Sequence, residues 1–377
     1  MKIIVAPDSF KGSLSAMQAA QAMAEGIKQA DSQIETILLP AADGGEGTMN
    51  ALIGATDGRL VTHQVEDPLG RKISASYGVL GDGNTCVIEI AEASGLTRLS
   101  EEERNPLIAS SFGTGQLIGH ALDAGFRKFV MGLGGSATND GGAGMLQALG
   151  MRFLDTAGRQ LVHGGELLRE LVRIEDAHFD PRIAESVFVI AGDVENPLIG
   201  ENGASFVFGP QKGATPKTVQ QLDRQLTNFA NIVEEQTGMA LHHKKGAGAA
   251  GGAGGALLAF FAGNMRRGID VVLDAIKFES YLETADAVIT GEGRSDRQTL
   301  SGKTPFGIAQ AATSAGKPVI LISGMIEEEC KNLLRPYFTS VSSLVGDGVT
   351  VEQAITGAYD QLKRKTFTVV EGYIKDK

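Results

Sequence analysis

The chain has 377 residues, a formal net charge of −11 and 42% hydrophobic residues, a length that favours two domains and a balance ordinary for a globular enzyme. The acidic excess argues against a nucleic-acid partner and against attraction to an anionic membrane. Any anionic substrate must then be held by local groups: helix N-termini, a few Lys or Arg side chains, or a metal.

The chain opens with an apolar run, Ile3-Ile4-Val5, which reads as a strand covered on both faces. It is too short and too soon interrupted for a signal peptide, and Cys86 and Cys330 fit reduced thiols, so a cytoplasmic location is expected. A helix should follow, opened by a Ser15-x-x-Gln18 capping box with Ala16, Ala19, Met23 and Ile27 along one stripe. A second strand at 36–39 feeds Asp43-Gly44-Gly45-Glu46-Gly47-Thr48. From Arg71 the period changes. Ile73, Ala75, Tyr77 and Val79 alternate with polar residues, a turn follows at 81–84, and Cys86, Ile88 and Ile90 alternate again. That pattern is a β-hairpin, and a domain boundary is expected near residue 65.

A strand at 129–131 leads into the loop Gly132-Leu133-Gly134-Gly135-Ser136-Ala137-Thr138-Asn139-Asp140-Gly141-Gly142 and then a helix carrying Met145, Leu146 and Leu149. Another strand, 187–191, leads to Asp193. A long amphipathic helix should open at Thr215-Pro216 and close at Gly238, burying Val219, Leu222, Leu226, Phe229 and Val233. The uncharged stretch 246–263 is diluted by Gly and Ala below a membrane span and reads as a buried loop and helix. From residue 285 the opening pattern returns, with short apolar strands at 287–289, 318–322 and 340–345. The expected fold is therefore α/β with two domains: a discontinuous, Rossmann-like, doubly wound parallel-sheet domain (1–65 and 281–377) and an inserted mixed α/β domain (66–280), with the active-site cleft between them.

Five loops share one design, a strand end followed by Gly with Asp, Glu, Ser or Thr and then a helix start: 8–13, 43–48, 132–142, 191–197 and 290–304. In open α/β sheets ligands bind beyond the carboxyl ends of the strands, and five such loops with carboxylates exceed what turn chemistry needs. The glycine-rich turn at 132–142 should expose backbone amides and a positive helix end to an anion. At 302–305, Thr304 is expected as N-cap and Pro305 at N1, with Lys303 beside the helix end as a phosphate contact.

A competing pattern is Gly132-x-Gly134-x-x-Ala137 with Asp155 beyond it, a relaxed dinucleotide fingerprint. The two glycines at 141 and 142 interrupt the helix that should follow at once. There is no Gly-x-Ser-x-Gly elbow, and the six histidines lie outside the glycine loops. What remains is carboxylates, hydroxyls and a few cations, an inventory suited to phosphoryl transfer. A nicotinamide oxidoreductase and a non-enzymatic binder of a small acid are the alternatives.

At these loops the sequence resembles the type-1 glycerate kinase family. The matching segments are Ala6-Pro7-Asp8-Ser9-Phe10-Lys11-Gly12-Ser13, Ala42-Asp43-Gly44-Gly45-Glu46-Gly47-Thr48, residues 134–144, Asp193-Val194-Glu195-Asn196-Pro197-Leu198, Phe208-Gly209-Pro210-Gln211-Lys212-Gly213-Ala214, residues 246–252 and Thr290-Gly291-Glu292-Gly293-Arg294. The resemblance implies a two-domain kinase that makes phosphoglycerate, 2-phosphoglycerate favoured over 3-phosphoglycerate, from D-glycerate and ATP with Mg²⁺, acting on small molecules as a monomer or homodimer.

With that expectation each candidate takes a role. Asp193 is the expected catalytic base with Asp140 second, and Lys11 a catalytic cation. Asp8, Ser9, Asp43, Gly44, Gly45, Thr290, Gly291, Glu292, Gly293 and Lys303 are expected around the nucleotide phosphates. Asp43, Glu292 and Asp296 are expected on the metal. Gly134, Gly135, Ser136, Thr138 and Asn139 are expected to hold the substrate, its carboxylate at the 136–140 turn or a neighbouring helix start.

Overall fold

The computed structural model describes residues 1–346 and 348–375. The strands run in chain order as β1 (Lys2–Val5), β2 (Glu35–Leu38), β3 (Arg59–Glu66), β4 (Lys72–Val79), β5 (Thr85–Glu89), β6 (Lys128–Gly132), β7 (Arg152–Leu154) and β8 (Arg173–Glu175). They continue as β9 (Val187–Ala191), β10 (Asn264–Arg266), β11 (Ala287–Thr290), β12 (Arg294–Ser295), β13 (Val319–Ser323), β14 (Met325–Ile326) and β15 (Ser340–Ser343).

Two compact units result. The first comprises Met1–Asp43, Asn50–Gly58 and Arg267–Lys377. Its sheet has five parallel strands in the order β15-β13-β11-β1-β2. Ile3, Ile4, Val5, Val288, Ile289, Ile320, Leu321 and Ile322 are fully buried, as strands covered on both faces require. The helix Ala16–Ala30 opens with the Ser15 and Gln18 capping box and buries Ala19, Met23 and Ile27. The C-terminal helix Ala358–Lys375 packs against it so closely that a Cβ at Gly26 would lie 2.4 Å from the Lys363 carbonyl. Lys363 and Tyr359 both bond Glu25.

The second unit comprises Gly44–Met49 and Arg59–Arg266. Its six-stranded sheet, β10-β9-β6-β5-β4-β3, is mixed: β10, β9, β6 and β5 run parallel, while β4 pairs antiparallel with β5 and β3. β3 carries no clear strand signature in the sequence. Its burial alternates weakly, with Leu60 half exposed and polar residues on both faces, so neither period dominates. Pairing with β4 from Arg59 to Glu66 fixes it instead. The helix Pro216–Thr237 is capped by Thr215, ends on a left-handed Gly238, and buries Val219, Leu222, Leu226, Phe229 and Val233. Residues 249–252 form a short 3-10 turn and Ala253–Phe260 a helix. Among the described residues no helix is long and apolar enough to cross a membrane.

Candidate active site

In the first unit the loops after β1 and β11 meet. Asp8 accepts the Ser9 amide at 2.6 Å and the hydroxyl of Thr304. Burial and, secondarily, the nearby Asp43 carboxylate raise its pKa to about 6. Glu292 accepts hydroxyls from Ser295 at 2.8 Å and Thr299 at 2.7 Å. Burial pushes it up to about 7, the hydroxyls and Lys303 pulling the other way and Asp8 adding to the rise. Lys303 lies 3.7 Å from Asp296. Lys11 is exposed on the same loop as Asp8, and its backbone nitrogen approaches Gly293 so closely that a Cβ there would sit at 3.0 Å. Asp8, Lys11, Asp43, Glu292, Gly293 and Lys303 are thus gathered in one region of this unit. A carboxylate raised by burial beside other carboxylates favours a cation, or a phosphate-bound cation, as its neighbour.

Three expectations change here. Thr304 is not the N-cap of the helix Thr304–Ser314; Lys303 is, with no side-chain cap, because the Thr304 hydroxyl turns to Asp8. That leaves the Thr304 amide at the helix start without a side-chain acceptor, while Pro305 has no N–H and the Phe306 amide bonds the Lys303 carbonyl at 3.1 Å. Thr290 is fully buried, and its hydroxyl donates to the Ala6 carbonyl at 2.8 Å, so it clamps β11 to β1 and does not reach outward. Asp296 caps the turn Arg297–Ser301, its carboxylate accepting the Gln298 amide at 2.8 Å, so one oxygen is already committed. Among the described residues no three His, Cys, Asp or Glu side chains form a ready-made metal cluster. Mg²⁺ commonly takes only one or two carboxylates and completes its shell with phosphates and water, so this donor set fits an ion that arrives with a nucleotide.

In the second unit, Gly44 and Gly45 fold onto the loop after β6. A Cβ at Gly134 would lie 3.1 Å from the Gly45 Cα, an approach that two glycines permit. Glu89, at the end of β5, holds the Gly44–Met49 segment by accepting the Met49 amide at 2.8 Å and the Gly47 amide at 3.4 Å. Nothing in its local sequence marked it: Glu89 sits on a strand, and only the fold brings the helix start of Thr48–Thr56 to it. Gly135 is exposed at a left-handed φ of 73°, and Ser136, Thr138 and Asn139 behind it are buried.

Asp140 is the anchor of this loop. It is fully buried, and its carboxylate accepts the Gly142 amide at 3.0 Å, the Gly144 amide at 3.2 Å, and both the amide and hydroxyl of Ser111 at 2.8 Å. Ser111 in turn accepts the Met145 amide at 2.9 Å. The start of the helix Ala143–Ala148 therefore already has its anion, so it is not the open anion site the glycine pattern predicts. An acceptor with this many bonds is also poorly placed to take a substrate proton. Asp193, one residue beyond Gly192 at the end of β9, is exposed instead. Asp155, the acidic residue of the dinucleotide pattern, closes a turn between the antiparallel β7 and β8, accepting the amides of Ala157 and Arg159. Among the described residues no parallel strand stands there to carry a ribose contact.

The most telling residue missed from the sequence is Lys212. It ends the short turn Pro210–Lys212 and is buried. Its Nζ donates to the Ser136 hydroxyl at 3.0 Å and the Thr138 carbonyl at 2.7 Å. Burial lowers its pKa to about 7, against the opposing pull of Asp140. Its segment, Gly209-Pro210-Gln211-Lys212-Gly213, carried the signal: a lone lysine among turn residues in a matching stretch.

Residues 3–373 match the model of the Glycerate kinase family. The chain is 48% identical over 364 residues to a glycerate kinase of Bacillus subtilis, covering 97% of this chain and 95% of that one. It is 43% identical over 364 residues to a glycerate 2-kinase of Escherichia coli, covering 97% and 96%. A crystal structure from Salmonella typhimurium LT2, provisionally assigned as glycerate kinase 2, superposes with a TM-score of 0.91 at 44% identity, covering 100% of this chain and 99% of that one.

Proposed function

Because the chain belongs to the glycerate kinase family, we propose that it phosphorylates D-glycerate with ATP, releasing ADP, and that the 2-hydroxyl is the acceptor. The observation that carries this reading is identity above 40% along nearly the whole chain to a glycerate 2-kinase. The first unit, with its parallel order β15-β13-β11-β1-β2, is read as the Rossmann-like nucleotide side. There the Thr304 amide at the uncapped start of Thr304–Ser314, Lys303, Lys11 and the 291–293 backbone are offered to the phosphates. Asp43 and Glu292 would hold Mg²⁺ together with those phosphates, and the ion would supply charge neutralisation as the phosphoryl group moves.

Glycerate's carboxylate is assigned to the Gly134–Asn139 turn, where the exposed Gly135 gives access and Ser136, Thr138 and Asn139 bring polar groups. Asp193 is the proposed base. It takes the proton of the attacking hydroxyl as that oxygen bonds the γ-phosphorus and the bond to ADP breaks. Asp140 is assigned to holding the turn, since its oxygens are occupied. A coupled ADP-release assay tests the reading: release that depends on D-glycerate supports it, whereas NADH formation from glycerate and NAD⁺ without ADP release would replace it with the oxidoreductase.

A further inference from the structure

Lys212 poses a physical problem. A fully desolvated ammonium is costly unless it is paired, and buried lysines usually lose their proton. Its two bonded acceptors, Ser136 Oγ and Thr138 O, are both neutral. The ionised group facing it from the adjoining loop, Asp140, has its oxygens taken by Ser111, Gly142 and Gly144. On the other side, the backbone of Arg104 packs on Gly213, and its guanidinium turns to Glu101 at 3.9 Å. An ammonium has three N–H groups, whereas a neutral amine has two, which suffice for Ser136 and Thr138. Burial leaves the two forms balanced near neutral pH, at about 7. In the same turn Thr138 Oγ1 and Asn139 Oδ1 are buried without a hydrogen-bond partner among the described residues; the threonine hydroxyl can donate to an anion, and the amide oxygen can accept from an acid's hydroxyl.

We infer that Lys212 is the positioning residue of the acid-binding turn, taking up a proton when a small hydroxy-acid carboxylate binds at residues 134–139 and acting on it through Ser136 and Thr138. This rests on the assignment of the substrate's carboxylate to that turn. An arriving anion raises the pKa of a nearby amine. The proton comes from solvent, because a free α-hydroxy-carboxylate, with a pKa of roughly 3.5, carries none at neutral pH. The sign follows. Below about pH 7 the lysine is already charged, so binding should not depend on pH. Above it, binding must also protonate the lysine, and affinity falls by up to about tenfold per pH unit.

The test is calorimetric titration of D-glycerate into the full chain at pH 6 and pH 8, each in buffers of different ionisation enthalpy. The expected result is little proton uptake at pH 6 and roughly half to one proton per acid at pH 8. Lys212→Met should abolish the uptake at pH 8 and raise KM for D-glycerate roughly tenfold, with kcat and KM for ATP changed by less than about threefold. The wild-type proton count stands even if that variant folds poorly, and Lys212→Arg, charged at every pH used, should bind without uptake. Equal uptake in wild type and Lys212→Met, or no uptake at pH 8 by a wild type that binds and turns over D-glycerate, overturns this inference and leaves the kinase reading standing. If D-glycerate neither binds nor supports ADP release, both fall together.

Discussion

The carboxylate of Asp140 and the side chain of Ser111 lock together inside the second unit: the amide and the hydroxyl of Ser111 both reach Asp140 Oδ2 at 2.8 Å. Asp140 thereby acts as the resident anion of the helix that starts at Ala143, and Ser111 extends the network to Met145. Asp140→Asn would set an amide NH₂ or a single oxygen against donors now served by a carboxylate. It should cost roughly 3 kcal/mol of stability in urea denaturation. A variant of unchanged stability that nonetheless loses kcat would return Asp140 to proton transfer.

Asp193→Asn keeps an acceptor oxygen for any turn while removing a base. The expected outcome in steady-state kinetics is a fall of roughly a hundredfold or more in kcat, with KM for D-glycerate little changed. Retention of most of kcat would make Asp193 a turn former.

Divalent-cation removal should abolish ADP release, and Mg²⁺ should restore it. Asp43→Asn should raise the Mg²⁺ concentration for half-maximal rate roughly tenfold, measured at fixed ATP. An unchanged requirement would remove Asp43 from the metal.

Stability should also report Lys212. Its folded pKa of about 7 lies below the ordinary lysine value of 10.5, so the unfolded chain binds more protons between those limits. Stability contributed by this group therefore rises with pH across that window, by at most about 1.4 kcal/mol per pH unit, and is lost as pH falls towards 7. The Tm difference between wild type and Lys212→Met should shift in favour of wild type from pH 7 to pH 10. A constant difference would mean that the lysine stays charged in the fold.

Local chemistry was legible in the sequence, whereas long-range partners were not. The Ser15 and Gln18 box, the Thr215 and Gly238 ends of the long helix and the strand Val187–Ala191 all follow from residues within a few positions of one another. Parallel pairing of β1 with β11 could be inferred from fully apolar runs. Thr304 was misplaced because its capping propensity is local, whereas Asp8, 296 positions away, claims its hydroxyl. Asp140 looked like a free loop carboxylate until Ser111, 29 positions earlier, came to it. Lys212 meets Ser136 across 76 positions, and no periodicity reports a contact of that kind.

The most direct measurement of the central claim is ³¹P NMR of the full chain incubated with ATP, Mg²⁺ and D-glycerate. The account predicts that the three resonances of ATP are replaced by the α and β resonances of ADP together with one phosphomonoester, identified as 2-phosphoglycerate by its coupling to the C2 proton. Inorganic phosphate as the sole new signal, or ATP unchanged while glycerate is consumed, would contradict it.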